Sequence, residues 1–566
     1  MSELLRRLRL RLLVTAQLLG ATAFINLLSF ASPLFVMLIL GQYVESGFDG
    51  TLITLSVGMC IALLMQVAFR QLRSLMVSQI SDEPDRELSQ AVFEGLARSR
   101  TRSLNMVPDA KRREIPGMLH AVQAAHSPLN VCAMLDGPFA FFFVLAAFAF
   151  NTLLGVIGLV FVLATLVAGL TSLRTSRLTA RDADRSAALA RGLATMALDG
   201  AETVRAFDGA KHTGSLWAAE TLRMGSLRRA MAMLKSRTAG TQSTLAVLAR
   251  VVVYAVGAKE CVLGELSFVG LIVANIFISR SLRQVAMFVS ANDQLARAGL
   301  ALAELKEFLR IPLEPNKGTA LRSYSGRLEL RDVAFAFPGS TGPLFESLNL
   351  RLPPGSLTVF FGRNGSGKTT LARLLAGVLE PMRGEVLVDG ITLRQTAPDW
   401  WRTQLSYLPQ EPTFLRGTLR ENVLLAVGDG PQPDFDDVVR RAGLGRFLAG
   451  LKDGPETRID DAGRTLPVGV RRRIALARAM VTSGRLALFD EPYEGLDEDG
   501  IQAVGSAMQD LRRRGATVIV FTHDPSPFAR ANFLVNLNAK PVPEIRAGVP
   551  LPQSAPTPGG ENDHGR

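Results

Sequence analysis

Cysteine is scarce in this sequence: the 566 residues include only Cys60, Cys132 and Cys261. Their wide spacing matches neither a disulfide framework nor a cysteine-based metal site. Each lies in or beside an apolar segment, so we expect these thiols to pack in the core or against lipid. The sequence also lacks a short N-terminal apolar segment with a small-residue cleavage site, so we expect no cleaved signal peptide.

Charged residues are nearly absent from several long apolar stretches, most of which precede residue 290. A bilayer core of about 30 Å is crossed by roughly 20 helical residues. Arg250 interrupts one of these stretches, and it must face a cavity or a partner if that stretch spans the membrane. We predict six spans, at about 18–41, 51–69, 130–150, 152–172, 239–258 and 264–286.

Positive charge is distributed unevenly between these spans. The short loops between the first and second, third and fourth, and fifth and sixth spans have little excess Lys or Arg, whereas the connections 70–129 and 173–238 are rich in both. The positive-inside rule places the long connections and the N-terminus in the cytoplasm. Their composition favours helices that extend far beyond the bilayer. Basic cytoplasmic loops also explain the net charge of +12, so we expect no nucleic-acid partner.

The second half of the chain has a different pattern. A Pro-containing linker at 311–325 separates the membrane domain, 1–310, from a predicted α/β domain at 326–540. Residues 328–333 alternate between apolar and polar side chains like a strand, and short apolar runs at 386–388, 486–489 and 518–521 are also typical of strands; the last two suit a buried parallel sheet. The tail, 541–566, is rich in Pro and Gly and is predicted to be disordered.

A glycine-rich loop in the α/β domain matches the phosphate-binding pattern G-x-x-x-x-G-K-[ST]. An apolar, β-favouring run precedes it and a helical apolar pattern follows, which is the context that this motif requires. Backbone N–H groups in such a loop face phosphates, Lys368 adds a positive charge, and Thr369 offers a hydroxyl to Mg²⁺. We therefore predict that ATP and Mg²⁺ bind here, through Gly362, Arg363, Asn364, Gly365, Ser366, Gly367, Lys368, Thr369 and Thr370.

Two adjacent acids end the apolar run at 486–489. In a P-loop fold, Asp490 would hold Mg²⁺ and Glu491 would orient or deprotonate the attacking water. Two acids at a strand end can also simply begin a turn, since Pro492 follows. Their position downstream of a P-loop favours the catalytic interpretation.

With these motifs, residues 326–535 resemble the nucleotide-binding domain of ATP-binding cassette (ABC) transporters. The resemblance implies that Gln410 is the Q-loop glutamine, a metal ligand together with Thr369 and Asp490. It also implies that His523 is the switch histidine beside the catalytic Glu491. Phe337 occupies the position of the aromatic residue that stacks on adenine in this family.

The family's signature motif, Leu-Ser-Gly-Gly-Gln, is degenerate here. The corresponding residues are Leu466, Pro467, Val468, Gly469 and Val470, ahead of an Arg-rich helix that matches the family. In the family this tip contacts the ATP held by the other subunit of a dimer. Pro467 has neither the hydroxyl nor the N–H of the usual serine, and Val468 adds a branched side chain where glycine is usual. Glu494 also occupies a usually small, uncharged position, where an inward-pointing carboxylate would disfavour a triphosphate.

These departures affect only the surface that is offered to a partner. The residues that would hold and cleave the chain's own ATP are complete, which favours a heterodimer whose other half-transporter has an intact signature. A homodimer with two weakened sites stays open as the alternative.

The membrane half resembles an exporter-type half-transporter, in which the tips of the extensions dock onto the ATPase domains. We expect docking near 108–117 and at 200–207. The stretch 134–139 resembles one found in type I secretion ATPases, which export proteins or peptides with a periplasmic adaptor and an outer-membrane channel. Asp136 within it could face a cavity or begin a helix at the cytoplasmic interface.

The sequence therefore predicts a six-helix α transmembrane domain with long cytoplasmic helical extensions, followed by an α/β P-loop ABC ATPase domain. The predicted function is ATP-driven export across the bacterial inner membrane by a multi-pass, lipid-embedded subunit with its ATPase domain in the cytoplasm. A polypeptide cargo and type I secretion are favoured. A lipid or small-amphiphile exporter and a regulatory ATP-binding half-subunit with low turnover are the alternatives.

Overall fold

The structure is a computed structural model that describes residues 2–548 except 316, 338, 341, 426 and 428–432. Its internal contacts divide the chain into two units. The first comprises the residues up to Arg98 together with Val107–Ile311, and the second comprises Ser99–Met106 and the chain from Pro312 onward.

The first unit consists of helices, several of which are much longer than a bilayer is thick. A helix rises about 1.5 Å per residue, so the 50 to 53 residues of the two longest helices span about 75–80 Å, more than twice the bilayer core. This length matches the predicted cytoplasmic extensions. The helices are α1 (Ser2–Leu10), α2 (Leu12–Leu28), α3 (Ala31–Leu38), a π-helical turn (Ile39–Tyr43), α4 (Val44–Ser46), α5 (Asp49–Arg98), α7 (Asp109–Ala125), α8 (Pro128–Asp136), α9 (Phe139–Phe148), α10 (Thr152–Asp199), α11 (Ala201–Ala206), α12 (Ala210–Val262) and α13 (Phe268–Phe308); the short α6 (Thr101–Leu104) belongs to the second unit.

Five helical segments of the described chain are long and apolar enough to cross a membrane: Leu12–Ser46, Asp49–Arg98, Pro128–Phe148, Thr152–Ser172 and Phe268–Phe308. They contain the first, second and fourth predicted spans and most of the third and sixth. The fifth predicted span lies inside α12, which is not among them, so this span stays a prediction.

A buried polar cluster links four helices of the first unit. Asp136, at the end of α8, accepts hydrogen bonds from both Nη atoms of Arg73 on α5, at 2.7 and 3.1 Å. Asn26 on α2 also donates to Asp136 at 3.0 Å and accepts from Gln284 on α13 at 2.8 Å. Asp136 therefore ends a helix and is paired with Arg73. The expectation that it begins a helix at the cytoplasmic interface was wrong.

The second unit includes a short piece of the connection between α5 and α7. The backbone N–H of Arg100 donates to the carbonyl of Pro312 at 3.1 Å, and its guanidinium pairs with Glu380 at 3.3 Å. The expected docking segment at 108–117 lies in the first unit, mostly within α7. Its docking onto an ATPase domain stays a prediction.

The rest of the second unit is an α/β domain with two main sheets. The strands of the domain are β1 (Leu328–Phe335), β2 (Phe345–Leu352), β3 (Leu357–Phe361), β4 (Arg383–Val388), β5 (Ile391–Thr392), β6 (Leu405–Leu408), β7 (Gly417–Thr418), β8 (Arg458–Ile459), β9 (Leu486–Asp490), β10 (Thr517–Thr522), β11 (Phe533–Asn536) and β12 (Glu544–Ala547). The helices of the domain are α14 (Lys368–Leu375), α15 (Pro398–Thr403), α16 (Leu419–Leu424), α17 (Phe435–Arg441), α18 (Gly445–Ala449), α19 (Val468–Met480) and α20 (Glu498–Arg513). One main sheet has four strands in the order β2-β1-β4-β5, and the other has six, mainly parallel, in the order β12-β11-β3-β10-β9-β6.

The central strands are apolar on both faces because both faces are covered. Along β10, Val518 and Val520 belong to one buried cluster, and Ile519 and Phe521 belong to the other. Side chains alternate across a strand, so a strand between two cores must be apolar at every position. The predicted runs at 486–489 and 518–521 both form such strands, and the fold class predicted from the sequence is confirmed.

The predicted disordered tail needs one correction. β12 pairs antiparallel with β11, from Phe533 opposite Ala547 to Asn536 opposite Glu544. All four residues of β12 are exposed, so the strand is held by its backbone pairing and leaves no apolar pattern in the sequence. Residues 549–566 of the predicted tail lie outside the described residues.

Candidate nucleotide site and its catalytic side chains

The glycine-rich loop joins β3 to α14 at the carboxyl end of the central sheet. Gly365 and Gly367 adopt φ values of 80° and 107°, in the left-handed region that favours glycine. A Cβ atom on Gly367 would come within 2.9 Å of Leu344. The two glycines therefore let the chain turn tightly into α14, which begins at Lys368, so that the loop and the helix N-terminus form a phosphate cradle.

Lys368 is buried and uses its hydrogen-bonding capacity inside the site. Its Nζ donates to the carbonyls of Gly362, at 2.8 Å, and Arg363, at 3.3 Å. It also lies 3.2 Å from Oε1 of Glu491, and the side chains of this ion pair are each only 6% exposed. An ammonium group has three N–H donors, so a phosphate at this loop must replace at least one of these partners.

Glu491 is held in an unusual conformation directly after β9. Its φ of 46° lies in the left-handed region, which is uncommon for a side chain of this size. Its Oε2 lies 3.0 Å from Nδ1 of His523 and accepts from the His523 backbone N–H at 3.3 Å. The carboxylate thus connects the P-loop lysine to the predicted switch histidine, whose side chain is 65% exposed.

Asp490 has the character of a cation ligand. Only 1% of its surface is exposed, yet neither carboxylate oxygen accepts a hydrogen bond from any residue that the structure describes. Burial raises the pKa of Asp490 to about 6, although the nearby Thr369 hydroxyl acts to lower it. A buried carboxylate without donors is costly unless a cation neutralises it, so these oxygens fit a bound Mg²⁺.

Thr369 and Gln410 supply further oxygens beside Asp490. The Thr369 hydroxyl donates to Oε1 of Gln410 at 3.3 Å, although the two residues are 41 positions apart. In the described residues, no three His, Cys, Asp or Glu side chains gather into a metal-binding group. A cation at this site would therefore depend on hydroxyl and amide oxygens as well as on one carboxylate.

Phe337 lies two residues beyond the end of β1 and is 52% exposed. Its ring contacts that of Phe335 edge-on, with the centroids 5.1 Å apart. About half of the Phe337 surface is thus accessible to a planar ligand. Phe337 is therefore not a buried core residue.

Comparison with known proteins identifies the kind of ATPase. A sequence model described as "ABC transporter" matches residues 345–494, which include the P-loop, Gln410, Asp490 and Glu491. The chain is similar over 521 residues to the type I secretion system ATP-binding protein PrsD of Rhizobium meliloti, with 26% identity, covering 92% of this chain and 88% of that protein. It is also similar to the exotoxin translocation ATP-binding protein PaxB of Pasteurella aerogenes, with 24% identity over 92% of this chain and 73% of that protein.

The fold comparison extends over both halves of the chain. A bacterial Atm1-family ABC exporter with ATP bound superposes with a TM-score of 0.79 at 19% identity, covering 94% of each chain. This chain carries an ABC transporter ATPase domain fused to a membrane domain. It is an ATP-hydrolysing transporter subunit that spans the inner membrane several times, with its ATPase domain in the cytoplasm.

The stretch 466–470, which is predicted to be a degenerate signature motif, lies at the start of α19. Pro467 precedes the helix with ψ of 146° and offers no side-chain hydrogen bond to cap it. Val468 begins the helix and is 52% exposed, while Leu466 packs against the core. The tip that faces outward is therefore apolar, as the sequence indicates.

Sequence reasoning missed two residues that support the P-loop of the ABC domain. Asn538 accepts a hydrogen bond from the backbone N–H of Arg363 at 2.8 Å, and Lys540 donates to the carbonyl of Ser366 at 2.7 Å. Both lie beyond β11, about 175 positions from the loop. No local pattern signals such contacts; only the pairing of β11 with β3 brings them there.

Proposed function

We propose that this chain exports a polypeptide across the inner membrane by type I secretion, using ATP bound at its P-loop. The main support is that the similarity to PrsD and PaxB covers 92% of the chain and thus includes the membrane half. In this proposal a periplasmic adaptor and an outer-membrane channel complete the path. Similarity confined to the ATPase domain would carry no information about cargo.

The contacts of Lys368, Glu491 and His523 support the catalytic roles in this proposal. Lys368 and the loop N–H groups hold the phosphates, and Glu491 accepts the proton of the attacking water. His523 holds one oxygen of the Glu491 carboxylate in place. Thr369, Gln410 and Asp490 would hold Mg²⁺, which supplies charge neutralisation to the phosphates when bound.

ABC exporters of this kind act as dimers, and we propose that this chain pairs with a different half-transporter. The support is the contrast between a complete set of residues for its own ATP and a signature tip in which Pro467 offers neither a hydroxyl nor an N–H and Val468 exposes a branched apolar side chain. At the second predicted docking segment, α11, Phe207 is 81% exposed, as expected of a side chain that awaits another subunit.

A secretion experiment tests the proposal. The gene is deleted from its own bacterium, and the culture medium is compared with that of strains complemented with the wild-type chain or with Glu491→Gln. We expect a polypeptide to disappear from the medium and to return only with the wild-type chain. An unchanged set of secreted polypeptides, together with altered membrane lipid, would favour a lipid exporter instead.

The dimer is tested separately with the purified chain. We expect the chain alone to hydrolyse ATP slowly and a second half-transporter with an intact signature to accelerate it. Normal transporter turnover by the chain alone, abolished by Glu491→Gln, would contradict the heterodimer.

A further inference from the structure

Glu494 lies in the loop between β9 and α20. From the sequence, a carboxylate at this position is expected to disfavour a triphosphate if it points inward. In the structure its Oε2 accepts hydrogen bonds from Nε2 of Gln410, at 3.2 Å, and from Nη2 of Arg472, at 3.1 Å. These two donors lower the pKa of Glu494, the Gln410 amide contributing most. The carboxylate is therefore engaged by two neighbours.

Arg472 ties this carboxylate to the catalytic segments. It is buried on α19, and its Nη1 donates to the carbonyl of Glu491 at 2.8 Å. Its Nη2 donates to the carbonyl of Gln410 at 3.1 Å as well as to Glu494. Because a guanidinium is planar and rigid, this one side chain fixes α19 relative to the loop at Gln410 and to the loop that contains both Glu491 and Glu494. The second of these loops includes the left-handed backbone of Glu491.

The carboxylate also decides which way the Gln410 amide points. An amide has a donor end and an acceptor end, whereas an ionised carboxylate only accepts. Glu494 therefore holds the Nε2 end, and the Oε1 end turns toward the Thr369 hydroxyl, 3.3 Å away. An oxygen is the atom that Mg²⁺ takes as a ligand, and an amide turned the other way would present N–H donors to the cation.

We propose that Glu494, held by Arg472, is a positioning residue that fixes the Gln410 amide with its oxygen toward the metal position. The inference rests on the proposed function, because it requires Gln410 to be a metal ligand. It assigns a favourable role to a charge that otherwise counts against nucleotide binding. Glu494 acts through Gln410 and need not touch ATP.

The test measures binding without turnover. The full chain carrying Glu491→Gln is purified in detergent, and its affinity for a fluorescent ATP analogue is titrated against Mg²⁺. In this background we expect Glu494→Ser to raise the Mg²⁺ concentration for half-maximal binding by about tenfold or more, the lower bound set by loss of a hydrogen bond to a charged group. Affinity for the analogue in EDTA should change less than about twofold, since the amide acts only through the metal.

Three further variants separate positioning from general damage. Gln410→Ala should raise the Mg²⁺ requirement at least as much, and adding Glu494→Ser to it should cause no further rise, because the two act through one ligand. Glu498→Ser removes the same charge from an exposed residue four positions away and should leave the titration unchanged.

The inference is overturned by an unchanged Mg²⁺ requirement in Glu494→Ser or by additive effects with Gln410→Ala. Tighter analogue binding both with and without metal would also overturn it, because it would mean that Glu494 repels the triphosphate. If the chain with wild-type Gln410 and Glu494 binds no analogue, the proposed function and the inference both fail. If it binds normally without the Glu494 effect, only the inference fails.

Discussion

The buried carboxylate of Asp490 should make the metal-free protein less stable at neutral pH than at acid pH. Its pKa of about 6 in the folded chain compares with an ordinary value of 3.8. A difference of one in pKa is worth about 1.4 kcal/mol, so charging Asp490 in the fold costs about 3 kcal/mol at pH 8. Because the folded chain binds the proton more tightly, this cost falls as pH decreases through 6 and vanishes below 3.8.

Asp490→Asn isolates this effect. The amide has its own unpaired groups, which shift the stability of the variant by an amount that does not depend on pH. Linkage predicts that the free energy of unfolding of the wild-type chain rises relative to that of the variant by about 1.4 kcal/mol as the pH is lowered from 8 to 5. For a domain of this size, the difference between their melting temperatures should change by about 3–6 °C.

The assay is thermal unfolding of the full chain in detergent with EDTA and without nucleotide, at pH 5, 6, 7 and 8. In a matched series with Mg²⁺ and ATP, the wild-type chain should gain stability at pH 8 while the variant gains less, because Asp490 then has a cation partner. A melting-temperature difference that stays constant across the pH series would refute the argument that the buried charge is uncompensated.

Three other predictions follow from contacts in the two units. Glu491→Gln should lower the ATP turnover rate by about 10²- to 10⁴-fold, the range for loss of a general base, with nucleotide binding retained in a filter assay. Asp136→Asn should lower the melting temperature of the transporter markedly, because removing one partner of a buried ion pair costs about 3–5 kcal/mol; replacing Asp136 and Arg73 together by Leu and Met should cost less. Phe337→Ala should raise the KM for ATP several-fold, as loss of a stacking interaction of about 0.5–1.5 kcal/mol implies, and an unchanged KM would remove Phe337 from the site.

The sequence predicted the parts of this protein that depend on local pattern. The P-loop at 362–369 and the two acids at the end of β9 are contiguous signals, and the apolar runs predicted the buried strands and five helices that are long and apolar enough to cross a membrane. The predicted span at 239–258 has a weaker apolar pattern because Arg250 interrupts it. It is also part of the longer helix α12, which begins at Ala210, so the helix boundaries do not mark the ends of a span.

Contacts between distant residues could not be predicted in this way. From the sequence alone, the charge of Glu494 is expected only to repel a triphosphate. Its partner Arg472 lies 22 positions away in an Arg-rich helix, and the sequence does not indicate which of the several arginines there would pair with it. β12 was missed for a related reason: its pairing is through the backbone and its side chains are exposed.

The left-handed backbone at Glu491 has a consequence for the mutational tolerance of this protein. A side chain in that region costs about 1–2 kcal/mol relative to glycine, and asparagine tolerates it better than most residues. Gly or Asn at position 491 would relieve this cost but would leave the buried Lys368 without its carboxylate partner, a change that costs about 3–5 kcal/mol. The ion pair with Lys368 therefore outweighs the backbone cost at position 491, and a library selected for heat resistance alone should keep an acidic residue there.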